Sequence, residues 1–186
     1  MLDYEAFLAG MKPALYGNSK SLTFMENFHL FAPYPCVTRN IDIFDGADFF
    51  LFFQDDELKE NFLFNMRRVS PRSPEFHELL GVTLGYPPLA AKYYAQCIRL
   101  EQEGRNQERE KLDQFRVSIH YAGIRCTGHI NDLTENAIWL WNRYEDNEDL
   151  KIGIGTKFYP VPRDNLKELD RLIDLKLHQI KEPLST

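Results

Sequence analysis

Residues 73–103 carry start, stop and restart signals for two consecutive helices. Ser73 precedes Pro74, the arrangement expected where a hydroxyl caps a helix that begins with proline. Gly85 can adopt the left-handed conformation that ends a helix, and Pro87-Pro88 can start the next one. Apolar side chains recur at helical spacing in both segments: Phe76, Leu79 and Leu80, then Ala90, Tyr93, Tyr94, Cys97 and Ile98. The sequence therefore predicts a tight helical corner over 73–103.

Three segments have strand patterns. Residues 40–53 contain Asp45-Gly46 between two apolar runs, and Asp-Gly favours the turn of a β-hairpin because both turn residues need positive φ. Both faces of this predicted hairpin are apolar, so we expect it to be covered on both sides. Residues 115–126 alternate apolar and polar side chains, and 151–159 also favour a strand. These patterns predict an α+β fold: a small antiparallel sheet that includes the 40–53 hairpin and is covered by helices.

The length of 186 residues predicts one globular domain over 1–186. The sequence has no internal repeat and no low-complexity linker that would divide it. Residues 57–66 fit either a helix capped by Asp55-Asp56 or a strand, and periodicity does not choose between them. We expect residues 183–186 to be a frayed tail.

Composition excludes several classes of protein. A content of 44% hydrophobic residues, 13% of the chain being aromatic, argues against disorder. The formal charge of −6 argues against nonspecific nucleic-acid binding, which requires a basic face. Three widely spaced cysteines are typical of reduced thiols, so we expect a cytoplasmic protein. The longest aromatic run, 49–53, is far shorter than the ~20 residues that span a bilayer, so we expect no membrane segment.

The densest group of reactive side chains is His120, Arg125, Cys126 and His129. Strand alternation places His120 on the polar side, with Cys126 and His129 at the following strand–helix junction. A thiol at a helix N-terminus has a lowered pKa, so Cys126 with either histidine is a candidate catalytic pair, with Arg125 holding an anion. The alternative is a small buried cysteine beside exposed or capping histidines. Structural zinc sites usually have two closely spaced ligand pairs and this group has one, so we predict no metal and no other cofactor.

A second candidate lies in the helical corner. His77, Gly81 and Gly85 lie four residues apart on one line of the first predicted helix. Gly81 inside a helix costs about 1 kcal/mol relative to alanine, so a compensating contact is expected. Either the glycines allow another backbone to pack closely, or they leave a groove where His77 meets a ligand, with Tyr86 on its rim. The candidate ligand-binding residues are thus His77, Tyr86 and Arg125.

A basic stretch precedes the corner. Arg67, Arg68 and Arg72 are close together in sequence and could hold a phosphate or an acidic partner, because guanidinium groups bind carboxylates and phosphates in a bidentate manner. The alternative is a solvated basic face.

Two classes of function follow from these observations. Because no catalytic motif is complete, we expect a soluble intracellular, non-catalytic binding or regulatory protein that acts through protein–protein contacts, with another protein or a second copy as partner. The alternative is an enzyme or small-ligand binder for an anion such as a nucleotide or phosphorylated metabolite. That alternative predicts that His77, His120, Arg125, Cys126 and His129 converge on one concave pocket.

Overall fold

The computed structural model describes residues 1–145 and 147–181. In this part of the chain the helices are α1 (Asp3–Leu8), α2 (Leu22–Glu26), α3 (Asp56–Met66), α4 (Pro74–Thr83), α5 (Pro88–Gln102), α6 (Asn106–Asp113), α7 (Leu133–Arg143) and α8 (Leu166–Lys181). The strands are β1 (Ala14–Asn18), β2 (Cys36–Val37), β3 (Phe49–Phe53), β4 (Arg116–Tyr121), β5 (Ile124–His129), β6 (Leu150–Ile154) and β7 (Lys157–Val161). Two antiparallel sheets and these helices confirm the predicted α+β class. The tail predicted at 183–186 lies outside the described residues.

The helical corner predicted over 73–103 is confirmed as α4 and α5. The Ser73 hydroxyl accepts a hydrogen bond from the Phe76 backbone N–H at 3.1 Å, which caps α4. Gly85 follows α4 with a backbone φ of +83°, a conformation that residues other than glycine rarely adopt. A β-carbon on Gly81 would lie only 2.9 Å from that of Ala91, so this glycine lets α4 and α5 pack closely.

The first sheet has the strand order β1-β3-β2. The hairpin predicted over 40–53 is wrong, because β3 is the only strand found there. β1 pairs along one side of β3, and on the other side the partner of Leu51 and Phe52 is β2, whereas residues 41–44 form no strand. Ile41 is nevertheless fully buried, and its carbonyl accepts a hydrogen bond from the Tyr16 hydroxyl at 2.5 Å. The expected burial of the strand itself is confirmed, since four of its five residues are buried.

The second sheet has the order β5-β4-β6-β7 and consists of two linked hairpins. The single strand predicted over 115–126 is divided into β4 and β5, because Ala122 and Gly123 adopt positive φ values of 51° and 76° and form a tight turn. Gly155, also at positive φ, similarly divides the segment predicted over 151–159 into β6 and β7. Every pairing in this sheet is antiparallel.

The segment over 57–66, for which the sequence allowed a helix or a strand, is helical. The Asp55 carboxylate accepts a hydrogen bond from the Leu58 backbone N–H at 2.8 Å and caps α3. No helix within residues 1–145 or 147–181 has the length and hydrophobicity needed to cross a bilayer.

Three clusters of buried side chains stabilise the fold over residues 1–145 and 147–181. The largest joins the second sheet to α7 and α8, a second joins β3 to α3 and α4, and an aromatic third lies around α1 and α2. Tyr86, at the bend of the corner, packs against both the first and the second cluster. The helical corner thus contacts both sheets, and the single domain over 1–186 stays a prediction.

Candidate functional site

A cavity of about 380 Å³ lies where the helical corner meets the edge of the second sheet. We refer to it as the corner cavity. α4, α5 and the bend between them contribute His77, Leu80, Gly81, Leu84, Tyr86, Ala90, Ala91 and Tyr94. β4 and β5 contribute Ser118, His120, Arg125, Cys126 and Thr127, and Tyr16 and Ile43 complete the lining. The cavity therefore has a largely apolar helical side and a more polar sheet side.

Strand register accounts for the polar side. His120 lies directly opposite Arg125, and Ser118 lies opposite Thr127. Because side chains alternate between the two faces of a strand and paired residues share a face, these four project from the same face of the β4–β5 ladder. The His120 ring also contacts the Phe158 ring, with centroids 4.8 Å apart.

The helical side is built from rings and very small side chains. The His77 ring meets the Tyr94 ring edge-on, with centroids 5.6 Å apart. Between them α4 and α5 approach closely at Gly81 and Ala91, where no bulky side chain can fill the space. The close helix packing, one of the two interpretations of Gly81, is present here, and His77 and Tyr86 line the same cavity, while a ligand bound by His77 with Tyr86 on the rim stays a prediction.

The two histidines of the cavity favour their neutral forms. Partial burial lowers the pKa of His77. Burial also lowers the pKa of His120, and the positive charges of Arg125 and Lys151 lower it further. At neutral pH these imidazoles therefore act as hydrogen-bonding groups. Arg125 is exposed and forms no salt bridge with the residues that the structure describes.

Cys126 lies within β5, so its predicted placement at a strand–helix junction is wrong. The side chain is 9% exposed, and burial raises the pKa of its thiol to about 12, although nearby Lys12 acts in the opposite direction. A thiol with this pKa is protonated at neutral pH and is a poor nucleophile. The alternative interpretation, a small buried cysteine, describes this environment.

His129 lies apart from the corner cavity. Its ring stacks on Phe115 with centroids 4.9 Å apart, and its Nδ1 accepts a hydrogen bond from the Asn131 backbone N–H at 3.2 Å. It therefore caps the short 3-10 turn that precedes α7. Of the five residues expected to converge, His77, His120, Arg125 and Cys126 line the cavity and His129 does not.

A buried lysine lies close to the cavity wall. Lys12 is fully buried, its ammonium group pairs with the Asp3 carboxylate, and it lies 5.9 Å from the centre of the Tyr86 ring. Burial lowers the pKa of Lys12, while the Asp3 charge acts in the opposite direction. This residue has no sequence signal, because it falls in a short connection after α1 whose burial depends on distant elements.

Other cavity residues were also not predicted. Ser118 and Thr127 become identifiable only once β4 and β5 are paired, since their proximity is a property of the register. Tyr16 and Ile43 come from segments distant in sequence and carry no local pattern that indicates a site.

No protein-family model matches the chain, and comparisons with curated proteins and with solved structures find no significant similarity. Within residues 1–145 and 147–181, no three His, Cys, Asp or Glu side chains are arranged to hold a metal ion.

Proposed function

We propose that this protein binds a small molecule with an apolar body and one anionic group in the corner cavity, and that it does so without covalent catalysis. The observation that carries this proposal is the convergence of His77, Tyr86, His120 and Arg125 on one cavity, although they come from a helix, an interhelical bend and two strands. A concave, mainly apolar pocket with a few convergent polar groups is the usual form of a small-molecule site.

The helical side suits an apolar ligand body. Leu80, Leu84, Ala90 and Ala91 offer only aliphatic surface there, and the rings of Tyr16, Tyr86 and Tyr94 add flat aromatic surface. Aromatic walls favour planar ligands, which can stack on a ring face or meet a ring edge. The volume of about 380 Å³ lies near the lower end of the range for ligand pockets, which favours a compact ligand.

The sheet side suits an anionic group. Arg125 supplies a guanidinium that can bind a carboxylate or phosphate through two parallel hydrogen bonds. His120, directly across the ladder, can add a further hydrogen bond, and the Ser118 and Thr127 hydroxyls lie next along the same face. An anion held here would also reduce the repulsion between Arg125 and a protonated His120, so its binding favours proton uptake by the imidazole.

The state of the Cys126 thiol, which lines the cavity, favours ligand binding and opposes covalent catalysis. Cys126 is buried and protonated, and the histidine expected to activate it, His129, caps a turn elsewhere. The hypothesis of a protein that acts through protein–protein contacts stays a prediction, and it is compatible with a small ligand in the corner cavity.

Native mass spectrometry of protein purified from its own host tests for a retained ligand. A ligand-observed NMR screen then compares aryl carboxylates and aryl phosphates with their uncharged amide and alcohol analogues. We expect the anions to bind more tightly than the neutral analogues, and Arg125→Gln to weaken them about tenfold or more, the effect of losing a charge-assisted hydrogen bond.

The matched control is Arg67→Gln, which removes the same charge from a surface outside the corner cavity. It should leave the affinity for aryl anions unchanged. Equal binding of neutral and anionic analogues, or equal effects of the two substitutions, would contradict the proposal.

A further inference from the structure

A second concave surface lies between residues 39–40 and the C-terminal end of α3. It encloses about 370 Å³, and we refer to it as the α3 groove. Its apolar lining consists of Phe62, Leu63, Met66, Val69 and Pro71, and its polar lining of Arg39, Asn40 and Arg67. No carboxylate is among these lining residues, so the groove combines an apolar floor with positive charge.

The two arginines of the groove form no ion pair with the residues that the structure describes. Both Arg39 and Arg67 are exposed, and neither forms a salt bridge within the part of the chain that the structure describes. By contrast, nearby Arg72 pairs with Asp45 at 2.6 Å, and Arg99 pairs with Glu75 at 2.9 Å. Free guanidinium groups at an apolar groove are notable in a chain with a formal charge of −6.

The helix dipole explains the position of only one of the two arginines. Arg67 is the C-cap residue of α3, and a cation there interacts favourably with the negative end of the helix dipole. Arg39 belongs to a different segment, after β2, so no helix end explains why it lies beside the same groove. Arg68, adjacent in sequence, stacks on the exposed Phe64 ring at 5.2 Å and extends the positive surface.

We infer that the α3 groove binds an acidic peptide segment of a protein partner. An aliphatic or aromatic side chain of that peptide would pack on Leu63 and Met66, and carboxylates beside it would pair with Arg39 and Arg67. Guanidinium groups match carboxylates in a bidentate geometry, and an apolar anchor flanked by charge pairs is a common arrangement at interfaces. The overall negative charge of the chain argues against an extended nucleic-acid backbone, which requires a broad basic surface. This inference is independent of the small-molecule proposal.

Selection of displayed random peptides on the full-length, immobilised chain tests this inference. We expect enriched peptides to share an apolar residue flanked by aspartate or glutamate. Synthetic versions of them, measured by fluorescence anisotropy, should lose about tenfold or more in affinity to the double variant Arg39→Gln, Arg67→Gln, and should bind more weakly as salt is raised. Failure to enrich acidic peptides, or unchanged affinity in the double variant, would overturn the inference.

The double variant Lys92→Gln, Lys157→Gln removes the same number of positive charges from exposed positions outside the α3 groove and the corner cavity, so it serves as the charge-matched control and should bind the selected peptides like the original chain. Circular dichroism spectra of both variants check that the fold is retained, and the conservative double variant Arg39→Lys, Arg67→Lys should keep part of the affinity. Two other occupants are tested in parallel. Tighter binding of a single-stranded oligonucleotide in the same salt, or a dimer in sedimentation that the double variant abolishes, would assign the groove to nucleic acid or to a second copy and overturn the peptide assignment.

Discussion

The burial of Cys126 predicts a specific loss of stability at alkaline pH. Burial raises the pKa of this thiol in the folded chain to about 12, against an ordinary value of 9.0. Because the folded pKa lies above the unfolded one, the stabilising contribution is fully present below pH 9 and is lost as the pH rises toward the folded value. The substitution Cys126→Ala removes this contribution, so the stability of the variant should fall less steeply with pH.

The size of the effect follows from the two pKa values. Each pH unit above the unfolded pKa costs about 1.4 kcal/mol, so raising the pH from about 8 to about 10.5 should destabilise the original chain by about 2 kcal/mol more than the alanine variant. The cavity that the substitution creates affects stability equally at both pH values, so it cancels in this comparison. Groups that ionise above pH 8 and do not interact with Cys126 are present in both chains and cancel in the same way, whereas Tyr86, Tyr144 and Lys12 interact with its thiolate and contribute to the difference.

Urea unfolding followed by circular dichroism, in the presence of a reductant and at several pH values, measures the two free-energy curves. Thr127→Ala is the control, because it changes a neighbouring cavity residue that does not titrate. Its curve should run parallel to that of the original chain. Parallel curves for the Cys126→Ala variant as well would show that the thiol ionises equally in folded and unfolded chains, and would refute the argument that it is a buried, unreactive group.

Two further substitutions test the packing that positions the corner. Tyr144→Phe removes the buried hydrogen bond from the Tyr144 hydroxyl to the Gly85 carbonyl, 2.8 Å long, and should lower the free energy of unfolding by about 1–2 kcal/mol in urea, whereas Tyr159→Phe should change it by less than about 0.5 kcal/mol. Gly123→Ala places a methyl group against Ala6 at a φ of +76° and should destabilise by more than about 1 kcal/mol in the same assay; an unchanged midpoint would mean that the turn and α1 can separate freely.

Local signals were sufficient to predict the helical corner. The Ser73 cap, Pro74 and the left-handed Gly85 each act within a few residues of the chain, so their effect does not depend on what packs against them. The same is true of the Asp55 cap on α3, although the apolar pattern of 57–66 alone did not distinguish a helix from a strand.

Strand pairing was not predictable in the same way. Asp45-Gly46 is a genuine turn signal, but β3 pairs with strands that begin at Ala14 and at Cys36. Strand stability depends mainly on cross-strand and burial contacts, which local sequence does not specify. β1 illustrates this, because Gly17 and Asn18 favour a chain break locally, and yet both residues lie in the strand opposite Phe50 and Phe49.

Some cavity residues have a local sequence signal, whereas the proximity of the others depends on long-range packing. Sequence proximity alone groups Cys126 with His129, but the strand alternation that places Thr127 and His129 on one face places Cys126 on the other. A glycine inside a helix, Gly81, is the signal that predicts His77 and Tyr86, and the close contact with α5 explains this glycine. Their proximity to His120 and Arg125 depends on α5 packing beside β5, a long-range contact without a local signal.

The chemical character of the cavity follows from which groups are charged. Covalent catalysis by Cys126 would require a thiolate, and the burial that raises its pKa opposes this at every physiological pH. Anion recognition requires a charge that persists when the site is desolvated, and Arg125 supplies it because a guanidinium does not deprotonate. Burial and the positive charge of Arg125 across the ladder lower the pKa of His120, so an anion bound beside Arg125 would offset the charge and favour a protonated imidazole that donates a hydrogen bond to it. The burial that keeps Cys126 protonated does not extend to the exposed Arg125, and this difference is why we propose anion binding and not covalent catalysis for the corner cavity.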